Sequence, residues 1–383
     1  MKARGKARVV VIYNRDFEGA EADPENRARE DIKDIADNIV AILDRRGFAA
    51  SGLGITDDVA SALVTLKGRR PDVVFNLCES IRGDNRFEPL MPLLLDMERI
   101  AYTGSGPMGL SLALHKSKAK EILRARGVPT PEAALLTAPD VSGINLPFPL
   151  IVKPSREDAS VGIYSASVVS DTAALAARAQ HVLSHYQQPA LVERYIDGRE
   201  IYVSVLGQVG GRPTIFPFFE IDFSDMPSDR PRIVSFEGKW VESSVEYKGT
   251  RPVRCRGLAA DLEAKVAATA LAAFEALELR DYARMDVRLT ADGVPYVIDV
   301  NPNCDLSDLA GGFSKAAKSG GLSYEDVILR IVALAESRRQ HADTIPLPTR
   351  PRTAAGDAQT GRPVSPGGNV VRARAPRGGA RSG

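Results

Sequence analysis

Between Arg284 and Asn301 the chain reads R-M-D-V-R-L-T-A-D-G-V-P-Y-V-I-D-V-N. Two β-patterned runs flank Asp292-Gly293, a dipeptide suited to a tight hairpin turn. A two-residue turn there sets Asp286 opposite Asp299 and Arg284 opposite Asn301, all four on one face. Met285, Val287, Leu289, Tyr296, Ile298 and Val300 then form the other, apolar face. Directly opposed Cβ atoms lie about 4.5–5.5 Å apart, where two ionised carboxylates repel unless a cation lies between them. Two carboxylates and an amide oxygen are ligands of the kind Mg²⁺ takes, alongside waters and phosphate oxygens. Either the face holds such a cation, or it is solvated and its acids pair with Arg284 and Arg288. A three-residue loop would shift the register and take Asp299 off the face.

Other residues with chemical potential lie upstream. Lys153, in P-L-I-V-K-P at 149–154, is caught between an apolar strand and a proline, so it requires an anionic partner: a structural ion pair or a phosphate. S-R-E-D-A-S-V-G-I at 155–163 is a small-residue loop of the kind that folds over phosphates, a pattern plain hairpins also use. Glu193 and Glu200 flank a turn between two strands, and Glu246-Tyr247-Lys248 sits in an irregular β-rich region. Asn76, Glu79 and Ser80 stand at the end of a buried strand, fit for ligand contact or for strand-end capping.

The elements that must position these groups follow from periodicity. Val9–Tyr13, 49–53 and 73–78 read as strands, separated by helices over 27–46 and 57–67. This alternation implies a parallel sheet with helices on both faces. Helices are expected at 88–97, 115–126, 172–186 and 258–277, with strands at 190–194 and 200–206. Ser323 with Asp326 resembles a helix N-cap pair, followed by the stripe Val327, Ile328, Ile331, Val332, Ala335. The expected segments are 1–110, 111–190, 191–340 and a disordered Pro/Gly/Arg-rich tail at 341–383.

Composition excludes several classes. With 44% apolar and 26% charged residues the chain can bury a core, and a net charge of +1 gives no bulk attraction for polyanions. The basic excess is local: from Arg350 onward there are seven Arg and one Asp. Cys78, Cys255 and Cys304 are far apart, which argues for a reducing compartment with neither a disulfide framework nor a structural zinc. No run reaches membrane-span length, and the expected location is the cytoplasm. Neither membrane nor nucleic acid is expected as a partner, and a homodimer is left open.

The order of these groups resembles the ATP-grasp superfamily and, within it, the D-alanine–D-alanine ligases. Y-T-G-S-G at 102–106, K-A-K-E-I-L-R-A-R-G-V-P-T-P at 118–131, the P-L-I-V-K-P run, V-E-R-Y-I-D-G-R-E at 192–200, Y-A-R-M-D-V-R at 282–288 and G-L-S-Y-E-D at 321–326 are similar to that family. The resemblance implies an α/β protein with a Rossmann-like N-terminal domain, followed by a two-subdomain ATP-grasp fold of α+β character. It implies that Lys116 and Lys153 contact ATP phosphates, that Ser160, Val161 and Gly162 cover them, and that Glu193 holds the adenine edge and Glu200 the ribose. It further implies Lys248 at the transferred phosphoryl group, Arg284 at developing charge, and Asp286, Asp299 and Asn301 on two Mg²⁺ ions, with Mn²⁺ as an alternative.

Departures from the family concentrate on the amino-acid side. N-R-D-F-E-G follows the first strand where D-alanine ligases have a Gly-Gly-x-Ser-x-Glu pattern, and N-L-C-E-S stands in place of a His-Gly pair. Asp299 replaces a glutamate, Asp158 and Ala159 replace a glycine and a serine, and Asn303-Cys304-Asp305 replaces Ser-Pro-Gly. The expectation is a carboxylate–amine ligase for small amino-acid-like substrates other than two D-alanines, with Asn303, Asp305 and Glu79 toward the substrate. Two alternatives are a genuine D-alanine–D-alanine ligase and a non-catalytic ATP-binding regulator. Retention of Arg284 and Lys248 argues against the regulator.

Overall fold

The apolar run at the start of the chain forms β1 (Arg8–Asn14), the middle of a parallel sheet. The computed structural model describes residues 6–15, 32–208 and 210–342; most of the first polar loop, the start of the first helix and nearly all of the expected tail lie outside the described residues. Helix α1 (Ile32–Arg45) leads to β2 (Ala49–Ile55), and α2 (Val59–Arg69), capped by Asp58, leads to β3 (Val73–Asn76). The sheet order is β2-β1-β3, all parallel, so Asn76 and Glu79 stand at its carboxyl end as expected. Helix α3 (Leu90–Met97) follows a short 3₁₀ turn at Asn85–Phe87. The Gly-rich turn at 102–106 then docks on a later strand, Gly104 N donating to Asp281 Oδ2 at 2.8 Å.

Helix α4 (Pro107–Leu114) was not legible: P-M-G-L-S-L-A-L is apolar almost throughout and shows no 3.6-residue stripe. Helix α5 (Lys116–Ala125) follows, ended near Gly127. The second sheet comprises β4 (Ala133–Leu136), β5 (Leu150–Pro154), β6 (Val168–Val169) and β7 (Ala190–Arg194) in the antiparallel order β4-β7-β5-β6. Helix α6 (Thr172–His185), capped by Asp171, covers it with Leu175, Ala179 and Val182. This sheet therefore runs past residue 190, to Arg194.

The third sheet carries β8 (Arg199–Gln208), β9 (Thr214–Ile215) and β10 (Phe219–Asp222). Two short helices, α7 (Phe236–Trp240) and α8 (Val245–Lys248), interrupt the expected β-rich stretch before β11 (Arg251–Arg254). Helix α9 (Ala260–Ala276) leads into β12 (Arg280–Leu289) and β13 (Pro295–Asn301). Strand order is β11-β10-β8-β12-β13. Helix α10 (Gly312–Ser319) was also missed, since Gly311-Gly312 reads as a breaker, whereas α11 (Tyr324–Ala342) carries the expected Ser323–Asp326 capping pair.

One core joins the first sheet to the third: Val9, Val11 and Phe75 share it with Tyr282, Phe313 and the α11 stripe Val327, Ile328, Ile331. Arg338 of α11 also grips buried Asp281 at the start of β12. The described residues form one compact unit, and hydrogen bonds from Asn85 to Arg156, Lys116 to Asp299 and Asn303 to Cys78 tie its parts together. None of the described helices is long and apolar enough to cross a membrane.

Candidate active site

The β12–β13 hairpin corrects one expectation and keeps its consequence. Its turn is a three-residue loop, Ala291 to Gly293: Thr290 N donates to Val294 O at 3.1 Å, and Gly293 has φ +75°. That loop alone would take Asp299 off the face. A β-bulge with Ile298 unpaired restores the register, so Asp286 is opposite Asp299 and Arg284 opposite Asn301. The apolar face changes accordingly. Pro295, Val297 and Val300 are its buried residues on β13, while Tyr296 and Ile298 are only partly buried. Val297 and Val300 pack with Met285, Val287 and Leu289 against Val266 and Phe274 of α9.

The polar face extends across β8, which places Ser204, Tyr202 and Glu200 beside Arg284, Asp286 and Arg288. Arg284 grips Asp286 with two hydrogen bonds, 2.7 Å from Nε to Oδ1 and 2.8 Å from Nη2 to Oδ2, and lies 4.4 Å above the Tyr202 ring. Burial pushes the Asp286 carboxyl above its ordinary pKa despite Arg284, and the Asp299 charge adds to the rise. Asn301 Nδ2 is 3.4 Å from Asp286 Oδ2, and a flipped amide would turn its oxygen to the same side. Among the described residues no third His, Cys, Asp or Glu joins the two acids, so the third oxygen of the set is the Asn301 amide. Two opposed carboxylates plus an amide oxygen fit a hard cation such as Mg²⁺.

Lysines converge on this face from α5 and β5. Lys116 Nζ, nearly buried, donates to Asp299 Oδ1 at 2.8 Å and to Asp158 Oδ1 at 2.9 Å. Burial works against the Asp299 charge, but Lys116, Lys153 and Lys120 outweigh it and hold its pKa below the usual carboxylate range. Lys153 Nζ lies 3.1 Å from Glu193 Oε2, the ion-pair alternative of the sequence reading. Lys120 Nζ is 3.0 Å from Glu193 Oε1, poorly aligned for a hydrogen bond, and Glu193 is buried between the two ammonium groups. Burial opposes its ionisation, yet both lysines keep its pKa low. Glu200 is likewise engaged, 2.6 Å from Arg288 Nη2 and 3.2 Å from the Tyr202 hydroxyl.

The small-residue loop arches over this cluster. Ala159, Ser160 and Gly162 have φ of +54°, +65° and +72°. A Cβ on Gly162 would stand 2.4 Å from Pro154 Cγ, so only glycine fits. Three bonds clamp the loop to the α7 region: Ser160 Oγ to Val234 O (2.9 Å), Phe236 N to Ile163 O (2.7 Å) and Trp240 Nε1 to Ala159 O (2.9 Å). Val161 is buried beneath.

Lys248 does not join the group; it is exposed on the last turn of α8, with no side-chain bond to a site residue among those described. Lys239 on α7 is exposed, with its ammonium 5.1 Å from the centroid of the Trp240 ring. Desolvation and the Arg284 guanidinium lower its pKa, opposed by Asp305, Asp286 and Asp158. Sequence reasoning also missed Lys120, although its place one helical turn after Lys116 puts both on one face of α5.

Beyond Asn301, Asn303 ties the sheets together: it accepts from the Tyr282 hydroxyl (2.8 Å) and donates to Cys78 O (3.2 Å) and Glu88 Oε1 (3.1 Å). Glu88, which nothing in the sequence singled out, is buried, and burial with the Asp158 charge raises its carboxyl well above the usual pKa. Asp305 is exposed and held in a turn by Ser307 N at 2.7 Å. Half-buried Glu79 donates its backbone N–H to Asn14 Oδ1 at 3.1 Å.

An acid hairpin, a lysine cluster and a glycine-bearing loop, held between two antiparallel sheets behind a parallel one, define an ATP-grasp architecture. The D-ala D-ala ligase C-terminus family matches residues 123–333. The chain is 33% identical over 312 residues to the uncharacterized protein y4sG of Sinorhizobium fredii, covering 79% of this chain and 88% of that one. It is 31% identical over 309 residues to the D-alanine–D-alanine ligase of Xylella fastidiosa, covering 77% and 91%. The solved D-alanine–D-alanine ligase of Bacillus anthracis, complexed with ATP, superposes with a TM-score of 0.67 at 22% identity, over 88% of this chain and 100% of that one. The chain belongs to the D-alanine–D-alanine ligase family, whose members are ligases that form C–N bonds.

Proposed function

We propose that this chain is an ATP- and Mg²⁺-dependent carboxylate–amine ligase that joins two amino-acid-like substrates other than a pair of D-alanines. The observation that carries the reading is the convergence of Asp286, Asp299 and Asn301 with Lys116 and Arg284 beneath the 155–163 loop, in a chain whose post-hairpin residues are Asn303-Cys304-Asp305.

A substrate carboxylate oxygen attacks the γ-phosphorus of ATP, and the β–γ bridging oxygen leaves with ADP. The second substrate's amine then attacks the acyl-phosphate carbon, inorganic phosphate departs with the C–O bonding pair, and the amine loses its proton as the amide forms. Phosphoryl transfer requires chiefly positioning and charge stabilisation. Lys116, Lys153 and Lys239 neutralise the phosphate oxygens, and Arg284 faces the charge that develops at the acyl centre. Asp286, Asp299 and Asn301 would hold Mg²⁺, which when bound would supply charge neutralisation and in-line orientation. The 155–163 loop, clamped by Trp240, keeps water from the acyl phosphate.

The test is ADP release across pairwise mixtures of amino acids, with D-alanine alone as one arm. Turnover with a pair other than two D-alanines supports the reading. Full turnover with D-alanine alone selects the second one, a D-alanine–D-alanine ligase, which the likeness to the Xylella fastidiosa enzyme favours. ATP binding without turnover across the panel would leave a nucleotide-binding regulator.

A further inference from the structure

Lys116 serves two anions in this structure, and only one of them belongs to the hairpin. Asp299 lies 2.8 Å from its ammonium and Asp158 2.9 Å. Asp158 comes from the 155–163 loop, where D-alanine ligases have a glycine, and its side chain is 47% exposed while that of Lys116 is 5% exposed. A half-exposed carboxylate thus reaches in from the lid to a buried ammonium. We infer that Asp158 is a latch: its carboxylate takes the position on Lys116 that a phosphate oxygen of ATP requires, and nucleotide must displace it to enter. The inference rests on the reading of Lys116 as a phosphate ligand.

The latch has mechanical support. Residues adjoining Asp158 are tied on both sides, by Asn85 Nδ2 to Arg156 O at 2.6 Å and by Trp240 Nε1 to Ala159 O at 2.9 Å. Ser160 and Ile163 are bonded to Val234 and Phe236, which joins the loop to the α7 region. Breaking the Asp158–Lys116 pair leaves these ties in place and frees the Asp158 side chain alone. Nucleotide entry exchanges the Lys116–Asp158 pair for a pair between Lys116 and a phosphate oxygen, and the latch lowers the affinity.

Trp240, the chain's single tryptophan, donates its indole N–H to the loop and is a built-in reporter. Mg·ATP is titrated into the full chain while Trp240 emission is followed, with isothermal calorimetry as a second readout. Asp158→Asn keeps the shape and removes the charge; Asp158→Gly removes the side chain and guards against a folding failure of the first variant. Both should lower the Kd for Mg·ATP about fivefold, the size expected for a partly exposed ion pair. If wild type binds and neither variant binds more tightly, the latch is refuted while the ATP site stands. If no form binds Mg·ATP, the assignment of Lys116 to phosphate falls and the latch with it.

Discussion

Asp286 stands directly opposite Asp299 because two irregularities of the hairpin cancel: a three-residue loop offsets the ladder, and unpaired Ile298 sets it back. The two carboxylates share a face with Asn301, and each meets a different cation, Arg284 or Lys116. On the proposal that the pair would hold Mg²⁺, Asp286→Asn is expected to lower substrate-dependent ADP release by more than about a hundredfold, with Asp299→Asn similarly affected. Retained ADP release in Asp286→Asn would remove the metal assignment.

Lys239 and Lys248 make an internal comparison. Both are exposed, but Lys239 feels the charges of Arg284, Asp305, Asp286 and Asp158, whereas Lys248 stands on the last turn of α8 with no bond to a site residue among those described. Lys239→Ala should lower kcat about a hundredfold, and Lys248→Ala should change it less than about twofold. Steady-state kinetics on both variants decides, and equal losses would return Lys248 to the site.

Glu193 is the sole carboxylate among the described residues that pairs with both Lys120 and Lys153. Glu193→Gln leaves two buried ammonium groups uncompensated and should cost about 3 kcal/mol at neutral pH, seen in denaturant unfolding. The sign with pH follows from its lowered pKa. The native state holds fewer protons there, so the stabilisation is full above the ordinary glutamate pKa and is lost as pH falls through the folded one. Wild type and variant should therefore converge in acid.

Glu88 runs the other way. Its pKa is raised by burial and by Asp158 and Glu79, so the native state holds more protons than the unfolded chain. Stability contributed by this group falls as pH rises from about 4.5 toward the folded pKa. Glu88→Gln can still partner Asn303 and should melt higher than wild type at pH 7, with the gap closing toward pH 4. A gap independent of pH would show that Glu88 is not the titrating group.

Much of the fold was legible because periodicity reports local burial. The strand Ala190–Arg194, the stripe of α11 and the parallel first sheet follow from which residues are apolar and how they alternate. Asp286, Asp299, Arg284 and Asn301 share the expected face only through the bulge at Ile298, which has no signature in the sequence, whereas their order with Lys116, Lys153 and the loop matched a family. Helices α4 and α10 escaped, since a nearly uniform apolar run and a Gly-Gly start carry no helical stripe.

The tertiary structure decided what depends on contacts distant in sequence. That Lys239, and not Lys248, feels the charges of Asp286 and Asp158 follows from how α7 is bonded to the loop after β5. Lys153 and Lys120 meet on Glu193 only because α5 and β5 both approach β7, and Glu88 meets Asn303 only because the first sheet's loops pack against the end of the hairpin. The sequence determined the residue types, most of the elements that carry them and the family. Which charges neutralise which was decided by packing, because ion pairs across a cleft leave no periodic trace in the chain.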